Sequence, residues 1–246
     1  MNWDQSRLFG GGFGLQGRSP AASAGGSACE VTDWISDSSA RAQVAAAVAS
    51  ERDLSVTVSK QVGSFTQAFT FDDPIITHVA IPNLPTSGAA TSTLLGMDFG
   101  TSNWSPRAYI SSSLCLSSLW TSDTSIACVS VRGIGKAKTA AVVIEGSNHS
   151  ACITCGRITE VFSYNFPSVS SLRLANGPQL GNVLVTVDGA GFGHVRWGES
   201  LVHVSLHGTR CLSTTWISDT SLICRIPSAE GPARDVSAFV SDQTAV

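Results

Sequence analysis

"CLSSLWTSDTSIAC", residues 115–128, returns as "CLSTTWISDTSLIC" at residues 211–224. The two segments agree at nine of fourteen positions, including both cysteines, the tryptophan and the run Ser-Asp-Thr-Ser. A third segment, "CEVTDWISDSSARA" at 29–42, keeps Cys29, Trp34 and Asp37 but has Ala42 where the second cysteine stands in the others. Such a box is a catalytic site used three times, a metal site, or a packing device. What surrounds it decides between them.

Self-similarity extends outward on both sides. "FTFDDPIITHVAIPNLPTSGAATSTLLGMDFG" (69–100) lies on "FSYNFPSVSSLRLANGPQLGNVLVTVDGAGFG" (162–193) without a gap. Pro74 meets Pro167 and Phe99 meets Phe192, each 93 residues apart. "FGGGFG" at 9–14 matches the end of that block. The chain therefore divides into three copies, 1–73, 74–166 and 167–246. The first is truncated at its N-terminal side, and the third is expected to lack its last strand. The phase of both ends predicts a stretch of a longer array. Copy two carries extra residues around "EGSNHSACITC" (145–155), which hold Cys152 and Cys155.

Within each copy the residues alternate with period two, between turns rich in Gly, Pro, Ser and Asn. Val183, Val185 and Val187 share one strand face. Val202, Val204 and Leu206 oppose His203, Ser205 and His207, which predicts one buried and one wet face. "ARAQVAAAVAS" (40–50) has helix-forming composition, but it aligns with strand sequence in copy two. About seven short strands per repeat is the pattern of an all-β, immunoglobulin-like sandwich.

Composition agrees. Charged residues make up 13% of the chain, about half of the usual ~25%. The net charge is −3 with no basic stripe, so no nucleic-acid partner is expected. No apolar run approaches the ~20 residues of a membrane helix, so no membrane insertion by this segment is expected. The cysteine pairs at a fixed spacing read as disulfides, Cys115 with Cys128 and Cys211 with Cys224, hence an oxidising compartment. Asn103 ("NWS") and Asn148 ("NHS") are glycosylation sequons.

"PSVSSLRLANGPQLGNVLVTVDGAGFG", "VHVSLHGTRCLSTTWISDTSLICRIP" and "DVSAFVSD" together resemble the TIG (IPT) immunoglobulin-like domain. The Trp-x-Ser-Asp-Thr-Ser variant is similar to tandem repeats in large cell-surface proteins of algae and other protists. The departures are Ala42 for a cysteine, and Val129-Ser130 where copy three has Ile226-Pro227. The family implies tandem β-sandwiches, but its functions are mixed, so the fold does not give the function.

Catalysis at the box would need a base that repeats with it, yet His78, His149, His194, His203 and His207 fall at unlike repeat positions. A metal would need more ligands than one aspartate per copy. A packing device explains every repeated residue: cysteines for a bridge, Trp34, Trp120 and Trp216 for core cover, Asp37, Asp123 and Asp219 for the turn. Cys152 and Cys155 read as a local disulfide pinning a loop rather than a redox pair, since no helix follows them. Cys29 is unpaired, and is either buried and free or linked to another chain. Asp72-Asp73 is not repeated at the next junction (Asn165-Phe166) and reads as a solvated linker.

The expectation is a non-enzymatic structural segment of a secreted or cell-surface protein: a spacer, an adhesin, or part of an extracellular filament or coat such as a flagellar hair. No catalytic residue, metal or cofactor is expected. Partners would be other repeats of the same longer chain, or a homo- or hetero-polymeric extracellular assembly. The alternative is a receptor-type or carbohydrate-binding ectodomain reading a ligand through its loops, with Trp3, Trp104 and Trp197 as the first places to look.

Overall fold

A computed structural model describes residues 6–15, 19–47, 52–144, 156–194, 201–228 and 235–245. These residues fold into strands joined by turns and loops, with no α-helix among them. Repeat 1 contains β1 (Ser6–Phe9), β2 (Ala21–Ala24), β3 (Ser27–Ala28), β4 (Val31–Ser36), β5 (Ser39–Gln43), β6 (Arg52–Val58) and β7 (Gln61–Phe69). Repeat 2 contains β8 (Ile75–Val79), β9 (Asn83–Leu84), β10 (Thr91–Met97), β11 (Arg107–Ile110), β12 (Ser113–Leu114), β13 (Ser117–Ser122), β14 (Ser125–Val129), β15 (Lys138–Val143) and β16 (Gly156–Tyr164). Repeat 3 contains β17 (Ser168–Arg173), β18 (Leu184–Ala190), β19 (Val202–Leu206), β20 (Thr209–Arg210), β21 (Ser213–Ser218), β22 (Ser221–Arg225), β23 (Val236–Val240) and β24 (Gln243–Ala245).

Each repeat is a two-sheet sandwich. In repeat 2 the sheets run β13-β14-β10-β8 and β12-β11-β15-β16-β9. Repeat 3 has β17-β18-β22-β21 facing β20-β19-β23-β24. Repeat 1 has β1-β5-β4 and β3-β2-β6-β7. It has no described counterpart of β8 or β17, which pair along the outer edges of β10 and β18.

Period-two alternation puts one side chain in two between the sheets. Leu84, Leu94, Phe99, Ile126, Val142 and Phe162 fill repeat 2. Val187, Phe192, Val204, Leu222 and Val240 do the same in repeat 3. The buried core of repeat 1 is smaller, consisting of Leu8, Phe13, Ala22, Ala40 and Ala42. Ser205 departs from the wet face that alternation assigned to it. It is buried, because β20 and β23 flank it on both sides through Arg210 and Ser237. The alanine-rich stretch after Trp34 begins as strand β5, in line with its alignment rather than its composition.

Candidate functional site

The box forms a hairpin in all three repeats, with one register throughout. Trp34 faces Ala40, Trp120 faces Ile126, and Trp216 faces Leu222. A bulge follows each tryptophan, so two residues on one strand oppose fewer on the other and the strand bends sharply into the turn.

The turn aspartate clasps the Phe-Gly loop of the same repeat. Its backbone carbonyl accepts from the phenylalanine N–H: Phe13 to Asp37, Phe99 to Asp123, Phe192 to Asp219, each at 3.0 Å. Its carboxylate accepts from the next glycine, Gly14 at 2.7 Å, Gly100 at 2.9 Å and Gly193 at 2.7 Å. Those glycines have φ of +96°, +93° and +78°, a left-handed conformation that side-chain-bearing residues disfavour. The tryptophan completes the clasp from above, donating Nε1–H to the glycine carbonyl at 3.2 Å in repeat 1 (Trp34 to Gly14) and in repeat 2 (Trp120 to Gly100).

One member of the device escapes a reading that looks only at identical residues. Three positions after the first cysteine stand Thr32, Ser118 and Thr214. Each hydroxyl accepts a backbone N–H from the opposite sheet: Ala22 at 3.1 Å, Ala108 at 2.8 Å, Val204 at 3.1 Å. The retained hydroxyl was the available signal. The two cysteine pairs are bonded, Cys115 to Cys128 and Cys211 to Cys224, with Cα atoms 5.7 and 5.8 Å apart. Each bridge ties the crossing between sheets to the hairpin. Cys29 is a half-buried free thiol against the core of repeat 1, and burial pushes its pKa up.

Repeat 3 uses the same residues differently, because repeat 2 abuts them. Asp219 also accepts from Thr86 Oγ1 of repeat 2, at 2.9 and 3.1 Å to its two oxygens. Ile134 of repeat 2 belongs to the buried core of repeat 3, and a Cβ at Gly193 would overlap its Cγ2. Gln243 donates Nε2–H to the Tyr164 carbonyl at 2.8 Å, and Lys136 N–H donates to Asp242 at 3.1 Å. Trp216 packs against His194 with ring centroids 5.9 Å apart. Among the described residues its Nε1–H meets no acceptor.

The other expected sites are scattered. Asn103 is exposed, and its Oδ1 accepts from Ser105 N–H at 3.1 Å. Trp104 beside it is 36% exposed. Trp3, Trp197, Asn148, Cys152 and Cys155 lie outside the described residues. Burial, with Asp72 and Asp123 nearby, pushes the Asp98 carboxyl up. Among the described residues no group of three His, Cys, Asp or Glu is placed to hold a metal.

The fold and the clasp define a tandem immunoglobulin-like β-sandwich protein. Residues 8–72, 74–164 and 167–246 each match the model of one family, described as IPT/TIG domain. The chain belongs to the IPT/TIG family, in three tandem copies. No curated protein matches it. Several solved structures share the architecture at low identity. The plexin A4 extracellular region is 13% identical over 98% of this chain and 31% of its own length, with a TM-score of 0.34. The surface glycan-binding protein PbSGBP-B of Prevotella bryantii is 14% identical over 72% of this chain and 41% of its own, with a TM-score of 0.44. The Escherichia coli adhesin FdeC is 15% identical over 94% of this chain and 85% of its own, with a TM-score of 0.29. The chain thus spans less than half of the plexin and Prevotella chains. These likenesses concern the fold alone.

Proposed function

We propose that the chain is a non-enzymatic, structural segment of a secreted or cell-surface repeat protein, serving as a spacer, an adhesin stalk or part of an extracellular filament. One observation carries this reading: the side chains that recur in the repeats are engaged in holding the sandwich. The aspartate caps the Phe-Gly loop, and the hydroxyl three residues after the cysteine joins the two sheets. None of them is left as a nucleophile with an adjacent base. The bonds from Thr86, Lys136 and Tyr164 into repeat 3 add a fixed connection between neighbours, which suits a load-bearing array. Bonded cysteines fit an oxidising compartment, and exposed Asn103 is the described position for a glycan.

The test is made on protein isolated from its source with thiols blocked at lysis. Mass spectrometry without reductant should find Cys115 linked to Cys128 and Cys211 linked to Cys224, with glycan on Asn103. Four blocked, unlinked cysteines would sink the extracellular reading.

A further inference from the structure

Asparagine is followed by glycine once in the chain, at Asn176-Gly177. The pair lies in the loop between β17 and β18, and both residues are exposed. Among the described residues, neither the Asn176 side chain nor the Gly177 N–H has a hydrogen-bond partner. Glycine carries no Cβ, so its nitrogen is free to swing onto the side chain before it. Asparagine is one of the chemically labile residues, and an exposed loop is where that lability is expressed.

The repeats supply an internal control. Asn83 stands 93 residues earlier, at the equivalent position of repeat 2. There the next residue is Leu84, 0% exposed, in a strand that pairs in parallel with β16. The Asn83 amide is held at both ends. Its Nδ2 donates to Asn165 Oδ1 at 2.6 Å, and its Oδ1 accepts from Ser163 Oγ at 3.2 Å. Asp188-Gly189, open in principle to the same ring closure, is locked as well. Gly189 N–H donates to the Thr220 carbonyl at 2.9 Å, and the Asp188 carboxylate accepts from Arg173 Nε at 2.7 Å. Repeat 3 has no counterpart of β9 among the described residues, and Gly177 offers its core no side chain in place of Leu84.

We propose that Asn176 is a self-modifying site, converted to isoaspartate and aspartate without an enzyme. The Gly177 nitrogen gives its proton to solvent and attacks Asn176 Cγ. The Cγ–Nδ2 bond breaks, and the amide leaves as ammonia after taking a proton from water. One water then opens the resulting succinimide ring. Opening at the Asn176 backbone carbonyl gives isoaspartate, and opening at Cγ gives aspartate. Nothing is oxidised or reduced. The net charge of −3 becomes more negative by one carboxylate. Isoaspartate also lengthens the backbone by a methylene, in a loop that leans on the core: a Cβ on Gly177 would meet Ile226 Cδ1 at 3.2 Å and Val183 Cγ2 at 3.3 Å. The converted fraction grows with the age of the molecule, so this loop records time since synthesis. The inference is independent of the extracellular reading.

The full chain is incubated at neutral pH and digested at intervals. Isoaspartate is read by peptide mass and by methyl transfer from an isoaspartate-specific carboxyl methyltransferase. Asn176 should convert at least about tenfold faster than Asn83, a barrier difference of about 1.4 kcal/mol. Its rate in the folded chain should lie within about tenfold of that in the free peptide of residues 172–182, "LRLANGPQLGN". Gly177→Ala should slow conversion at least about tenfold, and Asn176→Gln, which leaves the glycine in place, should remove the signal from this loop. Equal rates at Asn176 and Asn83, stronger protection in the folded chain than that, or an undiminished rate in Gly177→Ala overturns the proposal. Where Gly177→Ala does not fold, the comparison of the intact chain with the peptide decides alone.

Discussion

Ala42 shows how the box works without its bridge. It is 1% exposed, as Cys128 and Cys224 are, and it faces Thr32 as Cys128 faces Ser118 and Cys224 faces Thr214. Repeat 1 keeps the clasp of Asp37 and Trp34 on Gly14 regardless. The clasp is therefore independent of the bridge, and the bridge is an addition to it. Ala42→Cys should form a third disulfide with Cys29. Titration with a thiol reagent would then find no free thiol among the described cysteines, and chemical denaturation would show repeat 1 stabilised by up to about 3 kcal/mol. A persistent free thiol, with no bridged peptide in a digest, would contradict the equivalence of the three hairpins.

At the scale of elements, β16 ends in a side chain that ties repeat 2 together. The Tyr164 ring lies where a Cβ on Gly133 would fall, and its hydroxyl donates to the Val131 carbonyl at 3.1 Å. Burial pushes the phenol up to about 12. The folded chain then holds this proton more tightly than the unfolded chain, whose phenol titrates near ~10. Its contribution is complete below about pH 10 and declines as pH rises towards about 12. Denaturation midpoints should fall between about pH 10 and about pH 12, and Tyr164→Phe should flatten that fall. An unchanged pH slope in the variant would assign the alkaline loss to other groups. The hairpins, their shared register and the sandwich class were legible in the sequence, because period two and a repeated box are local signals. The hydroxyls of Thr32, Ser118 and Thr214 were visible only as an unremarked similarity, since a Ser/Thr exchange does not score as identity. The role of Tyr164 depends on Gly133 and Val131, which no motif links to it.

The whole molecule adds what no single repeat contains. Thr86 and Asp219 lie 133 residues apart, and no periodicity within a repeat points from one to the other. Ile134, though part of repeat 2 by sequence, is buried in the core of repeat 3. Ile134→Ala should therefore cost about 2–4 kcal/mol, read as faster amide exchange at Val204 and Leu222. Amides of repeat 2 such as Leu94 should change little; the opposite pattern would place Ile134 energetically in its own repeat. The bridges have a further, mechanical consequence. Each closes a segment with a sequence separation of 13, roughly 45 Å of extended chain. When the molecule is pulled from its ends, that length stays hidden after repeats 2 and 3 have given way, while repeat 1 pays out its full contour. The redox state of the surroundings thus sets how far the molecule stretches under tension.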